Sequence, residues 1–175
     1  MNKFKLYLLL FFAALQSNAQ EIKWLSFDDA IMMNAKNSKP ILIHIYAEWC
    51  GYCKKMKETT HSNAEIIKLM NENFYPVKLN GEEKEDIWYK GNRHKYVETD
   101  DFKYHELALN LLKGKMSYPS TVILDPAEDL QASSGGYQEA SKYEMFLSFY
   151  TEKNYKKFTM DEFIKQFESK LPKDN

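Results

Sequence analysis

A chain of 175 residues, 44% apolar and 28% charged, is long enough to bury a sizeable core, and its composition excludes wholesale disorder. Its 24 basic and 25 acidic residues leave a formal charge of −1, which gives no electrostatic footing for nucleic acid or an anionic membrane surface. No nucleic-acid partner is therefore expected. At the start, Lys3 and Lys5 precede the apolar run Leu6 to Leu15, and Ser17 and Ala19 hold the −3 and −1 positions of a cut after Ala19. This is the layout of a secretory signal peptide, because a run of about ten residues is half the ~20 that span a bilayer. The expectation is a signal peptide at 1–19 and a single domain at 20–175, periplasmic or secreted, with no stable anchor after cleavage. Disulfides form in such a compartment.

Ser26 followed by Asp29 reads as a helix cap, with Phe27, Ala30, Ile31 and Met33 to Ala35 as the apolar stripe and a stop near Asn37 ahead of Pro40. Ile41 to Tyr46 is a continuous, β-branched run suited to a central strand covered on both faces. A helix is expected from Cys50-Gly51-Tyr52-Cys53 onward, with helical spacing continuing through Ile66, Ile67, Leu69 and Met70 to Asn73. Phe74 to Leu79 is a second strand. Residues 81–105, with the charge cluster Glu82 to Asp86, read as a surface insertion, partly helical. Its rings, among them Trp88, Tyr89, Tyr96 and Phe102, serve either a partner surface or attachment to the domain. A helix is expected over Phe102 to Leu112, ending at Gly114. Strands follow at Thr121 to Leu124 and Leu130 to Ser134, then a helix at Glu139 to Tyr150. Thr159 and Glu162 form a capping box for a last helix through Leu171, packed by Phe163, Ile164 and Phe167, within an extension at 155–175. Alternating strands and helices indicate a layered α/β fold.

Cys50 and Cys53 are the only cysteines. Positions i and i+3 at a helix start share a face, so the two sulfurs can meet. Unpaired N–H groups and the helix dipole favour a thiolate at Cys50, lowering its pKa from ~8.5 toward neutral. Cys50 is then the nucleophile, and Cys53, one turn further in and less exposed, resolves the mixed disulfide. A structural staple across so short a loop removes little chain entropy. A haem site needs His after the second Cys, where Lys54 stands. A zinc site would have to recruit His61 and scattered histidines. No metal and no cofactor is expected.

The run Ile41 to Lys54, and Ala47-Glu48-Trp49-Cys50-Gly51 above all, resembles the thioredoxin family. So do Lys78-Leu79-Asn80, Tyr118-Pro119-Ser120 and Gly135-Gly136-Tyr137. Over roughly residues 24 to 150, the resemblance implies a thioredoxin-like central mixed sheet flanked by helices. The insertion and the C-terminal helix are additions to it. It implies a cis Pro119 that presents the Tyr118 backbone to a peptide, a Trp49 that covers the site, and a Lys78 directed behind Cys53. The alternatives are a trans turn at Pro119, a Trp49 packed into the core and a solvated Lys78. Tyr52 departs from the usual Pro and is similar to the Cys-Gly-Tyr-Cys of periplasmic disulfide isomerases, as an export signal would suit. His44 aligns with the family's buried Asp. It is either a base for proton transfer or a neutral core histidine satisfied by a backbone carbonyl.

Two functions follow. One is a protein-disulfide reductase or isomerase acting on disulfide-containing exported proteins, recharged by a membrane-embedded thiol donor. The other is a non-catalytic, chaperone-like peptide binder using Trp49, Tyr52, Tyr118 and Pro119. A binder needs neither cysteine, so replacing each by Ser separates the two.

Overall fold

The computed structural model describes residues 21–151 and 154–171, so the expected signal segment, 1–19, lies outside the described residues. Helix α1 (Phe27–Lys36) opens at Ser26, whose hydroxyl accepts the Asp29 N–H at 3.1 Å, and closes at Asn37 before Pro40. Phe27 and Ala30 are buried as the stripe requires, but Met33 is exposed and Asn34 takes the third buried position. The Asn34 amide donates to the Pro126 carbonyl at 2.9 Å and accepts the Lys39 N–H at 3.0 Å, which is how a polar side chain is tolerated there.

Strand β1 (Ile41–Tyr46) leads into α2 (Gly51–Thr59) and α3 (Ala64–Asn73). The expected continuous helical spacing is interrupted at Asn63. Its side-chain oxygen accepts the N–H groups of Glu65 and Ile66 and starts a new helix. Strand β2 (Tyr75–Asn80) follows.

The insertion is not helical. It forms two antiparallel hairpins, β3 (Ile87–Tyr89) with β4 (Asn92–His94), and β5 (Tyr96–Glu98) with β6 (Lys103–His105). Lys90 and Gly91 take φ of 50° and 76°, the pair of positive values that closes a two-residue hairpin loop with the twist of its strands. Tyr89 ties this insertion to the body of the protein: its hydroxyl donates to the Glu128 carbonyl at 2.7 Å and its ring meets Phe27 edge-on at 5.1 Å. Trp88 and Phe102 remain exposed.

The helix expected from Phe102 begins instead at α4 (Glu106–Leu111), because 103–105 are consumed in strand pairing and His105 Nδ1 caps the helix by accepting the Leu107 N–H. Strands β7 (Ser120–Leu124) and β8 (Leu130–Gly135) and helix α5 (Ala140–Phe149) fall where expected. Helix α6 (Met160–Gln166) carries both halves of the Thr159–Glu162 capping box but stops well short of Leu171. Phe163 seats it against Phe149 at 5.5 Å, while Ile164 faces solvent.

The four long strands form one mixed sheet in the order β2-β1-β7-β8, with β1 parallel to β2 and antiparallel to β7. Successive side chains of β1 alternate between faces. Ile41, Ile43 and Ile45 pack beneath α1 and α4, whereas Leu42 packs with α2, α3 and α5. His44 shares the face of Leu42, so the strand delivers an imidazole to the layer under the cysteine helix. This is the thioredoxin-like layout implied by the resemblance, with helices on both faces and a C-terminal helix added. Among the described residues, no helix is long and apolar enough to cross a membrane.

Candidate active site

Cys50 is the N-cap of α2, and Cys53 lies one turn inside. The two form a disulfide with their Cα atoms 5.2 Å apart. The Cys53 N–H donates to Cys50 Sγ at 3.0 Å. A negative charge left on that sulfur would meet this donor at the positive end of the helix. Cys53 is not the more hidden of the two: Cys50 is 4% exposed and Cys53 6%.

Trp49 is 68% exposed, not a core residue. Its ring meets Tyr118 edge-on at 5.7 Å, and its indole N–H donates to the Glu82 carboxylate at 2.8 Å. Tyr118 packs with Ala47 and both cysteines, and its peptide bond to Pro119 is cis. Burial, and then the charge of Glu82, raises the Tyr118 phenol to about 12, so it stays protonated. Among the described residues its buried hydroxyl has no hydrogen-bond partner. The Pro119 carbonyl accepts the Gly136 N–H at 2.7 Å, which fixes this turn against the end of β8. Tyr52 is exposed and lies 6.4 Å from Tyr137. Gly51 opens α2, and a Cβ there would meet nothing within 4 Å, so space does not require a glycine.

Gly81 is different, because a Cβ built on it would lie 2.3 Å from both Cε1 and the hydroxyl oxygen of Tyr118. The Gly81 N–H donates to the Tyr46 carbonyl, and its own carbonyl accepts the His105 N–H, both at 2.7 Å, so its backbone has little room to retreat. Gly81→Ala is expected to cost roughly 1–3 kcal/mol by overpacking. Urea melts should report that loss, and faster alkylation of reduced Cys50 should report the displaced ring.

His44 is buried, but among the described residues the expected backbone carbonyl is missing and its Nδ1 has no partner. It packs edge-on to His61, with ring centroids 4.6 Å apart, and Trp24 stands 5.4 Å from His61. Among the described residues His61 Nε2 is also unpartnered. Burial lowers the His61 pKa to about 4, with the Lys78 charge adding to the shift. Burial pushes His44 well below the usual imidazole range, followed by His61 and Lys78. Both rings are therefore uncharged near neutral pH. Lys78 is exposed, with its ammonium 4.1 Å from the centre of the Tyr46 ring, yet it borders the same cavity as Cys53. It is thus solvated, at the edge of that cavity. The Tyr46 hydroxyl is raised to about 12, chiefly by burial and then by its hydrogen bond to Glu48.

The structure thus gathers Cys50, Cys53, Trp49, Tyr118 and Pro119 on one side, and His44 and Lys78 at the cavity that Cys53 borders. Sequence reasoning missed Gly81 and Glu82, which sat inside or beside a charge cluster, and considered His61 only as a metal ligand. Among the described residues, no group of three or more His, Cys, Asp or Glu side chains is placed to hold a metal.

Comparison with known proteins agrees with this geometry. A protein disulfide-isomerase of Schizosaccharomyces pombe is 34% identical over 91 residues, covering 51% of this chain and 23% of that protein. The chain thus spans about a quarter of that relative's length. A thioredoxin-fold protein from Helicobacter pylori superposes with a TM-score of 0.55 at 18% identity, over 74% of this chain and 80% of the other. A DsbH oxidoreductase superposes with a TM-score of 0.51 at 18% identity, over 77% and 90%. These structures share the fold, and the fold with its cysteine pair supports thiol–disulfide oxidoreductase chemistry in general. The model of the thioredoxin-like DsbH family, described as protein of unknown function DUF255, matches residues 11–152, and the chain belongs to that family.

Proposed function

We propose that the protein reduces or isomerises disulfides in exported proteins. Cys50 is the attacking thiolate and Cys53 the resolving thiol. In the reduced protein, Cys50 attacks one sulfur of a client disulfide and the other client sulfur leaves as a thiolate. Cys53 then attacks Cys50 Sγ, which releases the client reduced and restores the bond between the two cysteines. The observation that carries this reading is the place of Cys50 Sγ, capping α2 and accepting the Cys53 N–H. Thiolate leaving groups depart faster when they are stabilised.

A client approaches Cys50 past Trp49, which is exposed and whose indole N–H donates to the Glu82 carboxylate. The cis Tyr118–Pro119 bond lies beside the pair, where the Tyr118 backbone would align an extended peptide. The basic, apolar start of the chain supports an exported setting, and a reductase in that setting needs an electron donor.

The test is a Cys53→Ser variant incubated with an unfolded, disulfide-bonded secretory protein. A mixed disulfide at Cys50 that survives non-reducing electrophoresis is expected. Its absence, with Cys50 free and alkylatable, would remove the enzyme reading.

A further inference from the structure

A cavity borders the disulfide on the Cys53 side. About 690 Å³ in volume, it is walled by Trp24, His44, His61 and Ile67 and rimmed by Lys57 and Lys78. Neither Cys50 nor Trp49, Tyr52 or Tyr118 borders it. Such a volume suits a small molecule and is too confined for a folded client. Lys54, on the same helix as Lys57, also lines it, opposed by Glu21 and Glu48. Glu48 is engaged with the Tyr46 hydroxyl, and the three lysines make no ion pair among the described residues. The wall also carries the two buried imidazoles, of which His44 Nδ1 and His61 Nε2 lack partners among the described residues.

We propose that this cavity admits a small thiol bearing carboxylate groups, which reduces the disulfide by attacking Cys53 Sγ. This deepens the oxidoreductase reading and rests on it, because it names the class of reductant that recharges the pair. The incoming thiol loses its proton to solvent in the cavity. Its sulfur bonds to Cys53 Sγ, the Cys50–Cys53 bond breaks, and the electron pair leaves on Cys50 Sγ. That sulfur departs as a thiolate at the helix N-cap, with the Cys53 N–H already directed at it. A second small thiolate attacks the outer sulfur of the mixed disulfide. The two small thiols leave joined as their own disulfide, and Cys53 Sγ takes a proton. Two thiols are oxidised and one disulfide is reduced.

Two effects favour Cys53 over Cys50 as the target. Cys53 borders the cavity and Cys50 does not. The sulfur expelled by attack on Cys53 is also the one that the helix stabilises. The lysines select for carboxylates.

The test uses the oxidised wild-type protein and glutathione as the probe. After brief mixing, an excess of N-ethylmaleimide at low temperature traps the first intermediate, and fragment-ion mass spectrometry locates each adduct. Glutathione on Cys53 with maleimide on Cys50 is expected. Lys57→Glu should lower the ratio of the glutathione rate to the 2-mercaptoethanol rate about fivefold or more. Glutathione found on Cys50, or no adduct at all, overturns the proposal. An unchanged rate ratio overturns the anionic class of reductant. The client trap described above reads Cys50 alone, so failure there is separate from failure here.

Discussion

Replacing Cys50 with Ser should reduce turnover of a disulfide-linked peptide by about a thousandfold or more, ~4 kcal/mol of transition-state stabilisation, with the fold retained. Only a thiolate at this position is both a strong nucleophile and a good leaving group, and a serine hydroxyl is neither at neutral pH. The Cys53→Ser protein should behave differently. It keeps the attacking sulfur, so it gives one round of mixed-disulfide formation and then stalls. A stopped assay with dithiothreitol as reductant separates the two patterns. The crosslink itself spans only a short loop, so its loss removes little constraint from the unfolded chain, and far-ultraviolet circular dichroism at 25 °C should be unchanged. Equal residual turnover in the two variants would mean that the sulfurs have no division of labour.

The second large effect is on stability. His61 is uncharged in the folded protein with its pKa near 4, against an ordinary value near 6.5. Above about pH 6.5 both folded and unfolded forms are neutral at this residue, and its full contribution is present. As pH falls below 6.5 the unfolded chain takes up a proton that the folded protein refuses, so stability declines until about pH 4. The span corresponds to about 3 kcal/mol, and His44 adds a loss of the same sign. His61→Phe fills the same space without a basic nitrogen. Urea melts between pH 7 and pH 4 should therefore show a shallower decline for the variant than for the natural chain. Parallel lines for the two would mean that His61 is solvated and titrates freely.

The main sheet and the cysteine helix were legible because they rest on local signals. Ile41 to Tyr46 has no residue that tolerates water well apart from His44, and a two-residue gap between cysteines at a helix start has few physical meanings. Thr159 and Glu162 announced their helix in the same way. The hairpins of 81–105 were not legible. Their strands are three residues each, too short for a period-two pattern, and the Lys90-Gly91 turn lacks the usual Asn or Asp in its first place.

The surroundings of the site failed for another reason. Gly81, Glu82 and His61 matter through contacts with Tyr118, Trp49 and His44, residues distant along the chain. No local pattern reports which side chain will lie over a glycine. The expected carbonyl partner for His44 failed likewise, since the residues that approach its ring are themselves aromatic.

The alternation of β1 carries a last consequence, for where the gene can change length. A single codon added or lost within 41–46 would exchange the two faces. The imidazole would then enter the dry layer under α1, and an isoleucine would take its place behind the cysteines. The loops that join β3 to β4 and β5 to β6 impose no such parity, since lengthening them moves no side chain of the four-stranded sheet. Natural variants of this chain should accordingly differ freely in length at those loops and not at all in that strand.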